Sequence, residues 1–461
     1  MKRSSKQEKK TSISDLNGKS EVNSFDCDDE VNEVAELKIK NQPIEKHIQN
    51  EKFHSKIIGF SGLGGAGTRV AISTIQSGKT SGMGPRLAID IDRDYPSHKK
   101  DGIDIRLLRG DGSLTATAGR FSLSEKMLTD IIRNPAGSFD EETANALETY
   151  LIGSAGKQYN LLFLIAATGG GTGNGFMRAI LNRYGNRIKS RLAPIGIIPH
   201  KRSPPLEYLN SLTFFGMMDR IHSRIGIPTF ICVENDALER LSGSKKMQLM
   251  NNIISGSVRL MAYTLSRSLA QDYSWGNIDR GFVDFYSPDR LSISTFGISR
   301  NVKVRGIGIN SVKKAFLRAH TNNLLGLHPQ KYEAIGSKLD GIVFVNAPES
   351  MDPGKIKEVI QNNAKNVWRY ADYEIKEVFV STDCHVTSID MVVLFGGQIT
   401  PPMLYKKISR GPLIRSNIEK RAAIYDNLID KDKNGAAKYY LEAKKDLNRG
   451  YLLLDQMMRR R

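Results

Sequence analysis

Five glycines fall within the seven residues Gly169–Gly175, and this run constrains the fold more than any other feature of the chain. The stretch Thr168-Gly169-Gly170-Gly171-Thr172-Gly173-Asn174-Gly175 follows the apolar run LLFLIAA (161–167) and opens a segment of helical spacing, FMRAILNRYGNRIK (176–189). Without Cβ atoms, backbone N–H groups can close on an anion, and a helix N-terminus behind them adds its dipole. The composition predicts a cup of backbone donors for a di- or triphosphate. The plain alternative is a glycine turn that serves only tight helix–strand packing.

An earlier turn, Gly62-Leu-Gly64-Gly65-Ala-Gly67, lies between the apolar run KIIGF (56–60) and the helical pattern TRVAISTIQ (68–76). It satisfies GxGxxG, and Asp90 and Asp92 close the next strand, RLAIDID (86–92). Alone, that spacing also fits a dinucleotide fold and an NAD-dependent oxidoreductase. A dinucleotide needs one such loop, however, and this chain has two.

APIGIIP (193–199) and PTFICVEN (228–235) continue the alternation, which predicts an α/β fold: a parallel sheet with helices on both faces. Apolar residues at helical spacing from Lys246 to Gln271 predict one long central helix. Beyond it, GIVFVNA (341–347), IKEVFVST (375–382) and SIDMVVLFGG (388–397), with a helix near 354–370, predict a smaller α+β domain. A helical C-terminal tail over 414–429 and 435–458 follows. The expected organisation is a charged, mostly disordered arm over 1–54, a nucleotide-binding domain over 55–245, a connecting helix over 246–272, an α+β domain over 273–399 and a basic tail over 400–461.

No apolar run is long enough for a membrane span or a signal segment, so a soluble cytoplasmic protein is expected. Cys27, Cys232 and Cys384 are far apart and form no metal-binding spacing, so neither a disulfide framework nor a protein metal site is expected. The net charge of +18 implies attraction to polyanions without choosing among them. The tail carries 15 Lys/Arg against 7 Asp/Glu. Such a pattern fits a solvated helix face, or contact with an acidic protein partner, a DNA adaptor or a membrane adaptor.

Gly169–Gly175 matches GGGTGxG, the signature of the tubulin/FtsZ superfamily, and GLGGAG resembles the first nucleotide loop of archaeal-type FtsZ. The resemblance covers about 56–399 and implies a GTPase that polymerises head to tail, with GTP/GDP as cofactor and Mg2+ alongside it. By position it assigns Gly64, Gly65 and Ala66 to one side of the phosphates and Gly170, Gly171, Thr172, Gly173 and Asn174 to the other. Ala118 and Gly119, in TATAGRF, take the place of the loop near the terminal phosphate and depart from its usual GAGGNP.

Glu207 resembles the ribose-binding glutamate, although the arginine expected four residues on is replaced by Asn210 or Ser211, with Lys201 or Arg202 as substitutes. Asn235 matches the residue for ribose and base, and Asn252 the reader of the guanine edge, which an amide suits by offering donor and acceptor together. Gln248 stands where the family stacks an aromatic ring.

Hydrolysis in the family is completed by an acidic loop of the next subunit. Asp284 and Asp289 are the candidates here, before a helix expected over 289–295; Asn277 and Asp279 offer another register. The same two aspartates also fit turn and cap positions. The resemblance implies a role in cell division or cell shape. A plasmid- or phage-segregating tubulin homologue and a filament protein that binds nucleotide without cleaving it remain open beside it.

Overall fold

The structure is a computed structural model. It describes residues 58–74, 83–91, 99–100, 103–108, 121–135, 137–153, 161–269, 291–306, 308–329, 338–368, 371–408, 412–432 and 435–459, all within the compact unit Lys40–Arg461. The charged arm, Asp92, Ala118, Gly119, Asn277, Asp279, Asp284 and Asp289 lie outside the described residues.

The first half alternates strand and helix: β1 (Ile58–Leu63), α1 (Gly64–Ser73), β2 (Met83–Asp90), β3 (Lys99–Lys100), β4 (Ile103–Leu107), α2 (Phe121–Arg133), α3 (Ser138–Leu151), β5 (Leu161–Ala167), α4 (Thr172–Ile188), β6 (Leu192–Ile198), α5 (Pro205–Ile225), β7 (Phe230–Glu234), α6 (Asn235–Ser242) and the long α7 (Met247–Leu269). The second half holds β8 (Ile293–Lys303), α8 (Ile309–Thr321), β9 (Lys338–Pro348), α9 (Pro353–Ala364), β10 (Asp372–Asp383), β11 (Ser388–Gly397), α10 (Pro402–Ile408), α11 (Pro412–Asp430) and α12 (Ala437–Arg459).

All the described strands form one sheet in the order β10-β9-β11-β8-β7-β6-β5-β1-β2-β4-β3. From β4 to β7 the pairing is parallel. Strand β8 joins β7 in parallel only through Phe230↔Ile293 and Ile231↔Ser294, and beyond it β11 runs antiparallel to β8 and β9.

Helices cover both faces, which is why β5 reads as an unbroken apolar run rather than an alternation. Leu162, Leu164 and Ala166 enter the core on one face with α2, α4 and α5. Leu161, Phe163 and Ile165 enter the other with α1 and α7, the period of two that a strand imposes. Each core takes residues from both halves of the chain.

Strands 161–167 and 388–397 fall where the sequence pattern puts them. The helix expected over 289–295 does not form across its second half: Ile293 opens β8. Ile293, Thr295 and Phe296 are β-branched or aromatic, and pairing with β7 and β11 on either side decides their conformation. Helix α5 has no counterpart in the sequence reading, although Pro205 at its start and Gly226 in the left-handed region (φ 69°) at its end are its start and stop signals.

Candidate functional site: a glycine-lined edge

Strand β1 lies between β2 and β5, so successive connections leave it in opposite directions. In an open parallel sheet the crevice at the carboxyl ends of such strands is where ligands bind. The two glycine stretches are the loops that leave β1 and β5 at this point.

They pack backbone to backbone. Gly64 has φ +67°, a conformation that side chains oppose, and a Cβ placed on it would stand 2.5 Å from the Gly173 nitrogen. A Cβ on Gly173 would meet the Leu63 oxygen, also at 2.5 Å. By contrast, a Cβ on Gly170 would meet no atom closer than 3.7 Å. Gly64 and Gly173 are therefore small so that the loops can touch, whereas a Cβ on Gly170 would meet only ordinary contact.

Both loops run into helices without side-chain caps. The residues before α1 and α4, Leu63 and Gly171, supply none, and neither first turn holds an acid. The starts of α3, α5, α6 and α8 likewise have no side-chain cap, and a cap is seen at α9, where Asp352 accepts from Gly354 and Lys355. First-turn N–H groups have no acceptor inside their own helix, and the dipole there favours an anion. Two such termini at one switch point make a phosphate-sized anion the fitting ligand.

Behind the loop lies a buried polar layer. Asn174, fully buried, donates from Nδ2 to the Thr168 and Asn210 oxygens (3.0 and 3.4 Å) and accepts at Oδ1 from Arg178 Nε (3.1 Å). Its side chain thus holds the loop from within. Asn210, which stands where the resemblance expects an arginine, donates to the Gly169 oxygen (2.9 Å). Thr168 Oγ1 donates to the Ile197 oxygen (3.1 Å) and lies 2.8 Å from Ser211 Oγ. No sequence motif marked Arg178, and the resemblance named Asn210 and Ser211 only as standing in for an arginine, because a polar residue within a helical pattern gives no sign of being buried.

Glu207, half-buried in the first turn of α5, lies against the same loop: its Cβ and oxygen would each be 3.0 Å from a Cβ on Gly169. Asn235 begins α6 at the carboxyl end of β7, so Gly64, Gly65, Ala66, Gly170–Asn174, Glu207 and Asn235 share one edge of the sheet. The loop after β6 is tied to α6 there. His200 Nε2 lies 2.5 Å from Glu239 and 3.1 Å from Asp236, and the Lys201 N–H donates to Asp236 (2.6 Å). The His200 side chain holds Glu239 below the usual carboxylate range, against a partial desolvation that acts the other way. Asn252 is half-buried in the second turn of α7, which packs beside α1 and α6. Gln248 is exposed. Asp90, buried at the end of β2, has Oδ2 3.5 Å from a Cβ on Gly65.

A parallel sheet with glycine loops on both sides of its switch point, joined through one long helix to a mixed sheet, is the fold of the tubulin/FtsZ superfamily, and solved structures of that kind match this chain. CetZ2 of Haloferax volcanii, in a GTPγS-bound protofilament, matches with TM-score 0.55 at 16% identity, over 79% of this chain and 99% of that one. The FtsZ dimer of M. jannaschii matches with TM-score 0.52 at 15% identity, over 75% and 89%. TubZ of Bacillus thuringiensis serovar israelensis, in a GTPγS-form protofilament, matches with TM-score 0.53 at 13% identity, over 80% and 94%. No protein-family model and no curated protein sequence matches the chain.

Proposed function

We propose that this protein binds GTP on the glycine edge, polymerises head to tail and hydrolyses the nucleotide at the junction between subunits. The observation that carries the reading is the close backbone contact of two glycine-rich helix starts, α1 and α4, at Gly64 and Gly173 beside the switch point of the sheet. Gly64, Gly65, Ala66 and Gly170–Asn174 offer backbone donors to the phosphates, and the resemblance assigns Ala118 and Gly119 to the terminal one. Glu207 and Asn235 take the ribose and Asn252 the guanine. Mg2+, when bound, neutralises charge on the phosphate oxygens.

Chain geometry supports a shared site. Ile293 opens β8 beside Phe230, at the amino end of β7, opposite the glycine edge. Asp289 precedes Leu291 by two residues in the sequence. The intervening strands span roughly 17–23 Å. In this reading Asp284 and Asp289, which precede β8 in the chain, serve the nucleotide of the next subunit, where a carboxylate would orient the attacking water.

A role in cell division or shape, with a likeness to archaeal-type FtsZ, belongs to this reading, as does a cytoplasmic location. Segregation of plasmid or phage DNA is the alternative, and a DNA or membrane adaptor on the basic tail would suit it. An oxidoreductase reading would leave the second glycine loop without a purpose.

Phosphate release from GTP, with ATP as control, measured with sedimentation as protein concentration rises, tests the proposal. GTP-selective turnover that appears above a critical concentration together with pelleting is expected. Pelleting without phosphate release would make the protein a non-hydrolysing filament, and turnover strictly proportional to concentration would refute the shared site.

A further inference from the structure

The C-terminal helix α12 is packed into the nucleotide-loop half of the molecule. It runs along α5 and also touches α2 and α11. At its crossing with α5 the backbones meet: a Cβ on Gly216 would stand 1.8 Å from the Asp446 oxygen, and one on Gly450 would stand 1.9 Å from the Leu212 oxygen. Only glycine at both places permits this approach. Part of the helix's basic charge is used here, since Arg449 pairs with Asp219 and donates to Ser223 Oγ (2.7 Å). Lys444 pairs with Asp426 of α11 (2.6 Å).

The close crossing buries a charged residue. Asp446 is fully buried and accepts from Arg178 NH1 at 2.7 Å and from Arg220 at 2.8 and 3.1 Å. Arg178, also fully buried, donates from NH2 to the Thr213 oxygen (3.1 Å) and from Nε to Asn174 Oδ1 (3.1 Å). Asn174 in turn holds the Thr168 oxygen. Glu125 lies 3.9 Å from Arg178, and Glu442 lies 3.7 Å from Arg220. An unbroken path of buried hydrogen bonds therefore joins the C-terminal helix to the glycine loop. Buried charges tolerate little displacement without losing compensation, so the two ends of the path cannot shift independently.

We propose that α12 is a clamp on the glycine loop: Asp446, acting through Arg178 and Asn174, is a positioning residue that holds Thr168–Gly175 in its binding conformation, so that helix docking and guanine-nucleotide binding strengthen each other. The inference rests on the reading of the glycine edge as a GTP site. It also assigns the tail an internal task, whichever partner its exposed face meets.

The test uses the full chain. Hydrogen exchange of the unmutated protein, with and without saturating GDP, is expected to slow for amides 168–175 and also for amides 440–452 of α12, while α9 stays unchanged as a remote reference. Asp446→Asn keeps the shape and removes the charge. It is expected to weaken GDP binding about tenfold, a coupling of ordinary allosteric size, and to shrink the rise in melting temperature that GDP produces.

Protection of the loop without any change in α12, or GDP affinity unaltered by Asp446→Asn, would overturn the clamp and leave the GTP site standing. If neither segment responds to GDP, the guanine-nucleotide reading itself fails and the clamp with it. Should Asp446→Asn not fold, exchange in the unmutated chain decides alone.

Discussion

At Gly64 and Gly170 the same substitution should have opposite consequences. Gly64→Ala must hold alanine at φ +67° and push a methyl group against the Gly173 nitrogen, so a loss of about 1–3 kcal/mol from the backbone alone is expected, before the clash. Gly170→Ala meets only ordinary contact and should stay within about 0.5 kcal/mol of the parent. If Gly170 lines the phosphate cup, this stable variant should nevertheless lose GTP affinity. Thermal unfolding and GTP titration of both variants separate packing from binding.

Two buried titrating groups give stability an unusual pH profile. Burial pushes the Glu125 carboxyl up from 4.5 to about 7, against the pull of Arg178. An acid with a raised folded value holds its proton more tightly in the fold, so its contribution is complete below about 4.5 and is lost as pH climbs through 7, about 3 kcal/mol in all. His320, fully buried against Phe316, Trp368, Tyr373 and Phe395, is pulled from 6.5 down to about 4 by the same desolvation. It stays neutral in the fold, and its contribution is lost as pH falls from 6.5 through 4. The two slopes oppose each other between about 4.5 and 6.5. Glu125→Gln should remove one and uncover the other, giving a protein whose denaturation midpoint drops more steeply on acidification than the parent's.

Most helix starts with a described N-cap residue lack a side-chain cap, and α9 is an exception. Asp352 caps α9 with bonds of 2.7 and 3.3 Å, so Asp352→Ala should cost about 1 kcal/mol and leave GTP turnover unchanged. The starts of α1 and α4 have no such residue, and adding an aspartate there should repel the phosphates it would otherwise invite. The contact of α12 with α5 is an element-scale feature of another kind. Gly450→Val drives a side chain into the Leu212 backbone and should cost about 1–3 kcal/mol as overpacking, more if the Asp446 pairs separate, measured as a shift in urea midpoint.

Across the whole molecule, the parallel and mixed parts of the sheet meet through the two-residue pairing of β7 with β8. Both apolar cores nevertheless draw on residues from each side of it. One cooperative calorimetric transition is therefore expected, and two resolved transitions would show that the halves fold apart. GTP at a hundred times its dissociation constant should raise that transition by the equivalent of about 2.7 kcal/mol. No described helix is long and apolar enough to cross a membrane.

The sequence by itself determined the features that local chemistry decides. Unbroken apolar runs gave β5 and β11 their strands, helical spacing marked α7, α11 and α12, and glycine composition marked both loops, because backbone freedom and side-chain periodicity act within a few residues. The tertiary structure alone decided the rest. It joined all the described strands into one sheet, made Ile293 part of a strand and turned the Asn174 side chain inward. It also placed Arg178 against Asp446, 268 positions away. Each of those two residues reads in its own helix as a solvated charge. Burial becomes affordable only when both partners arrive together, and no local pattern records that meeting.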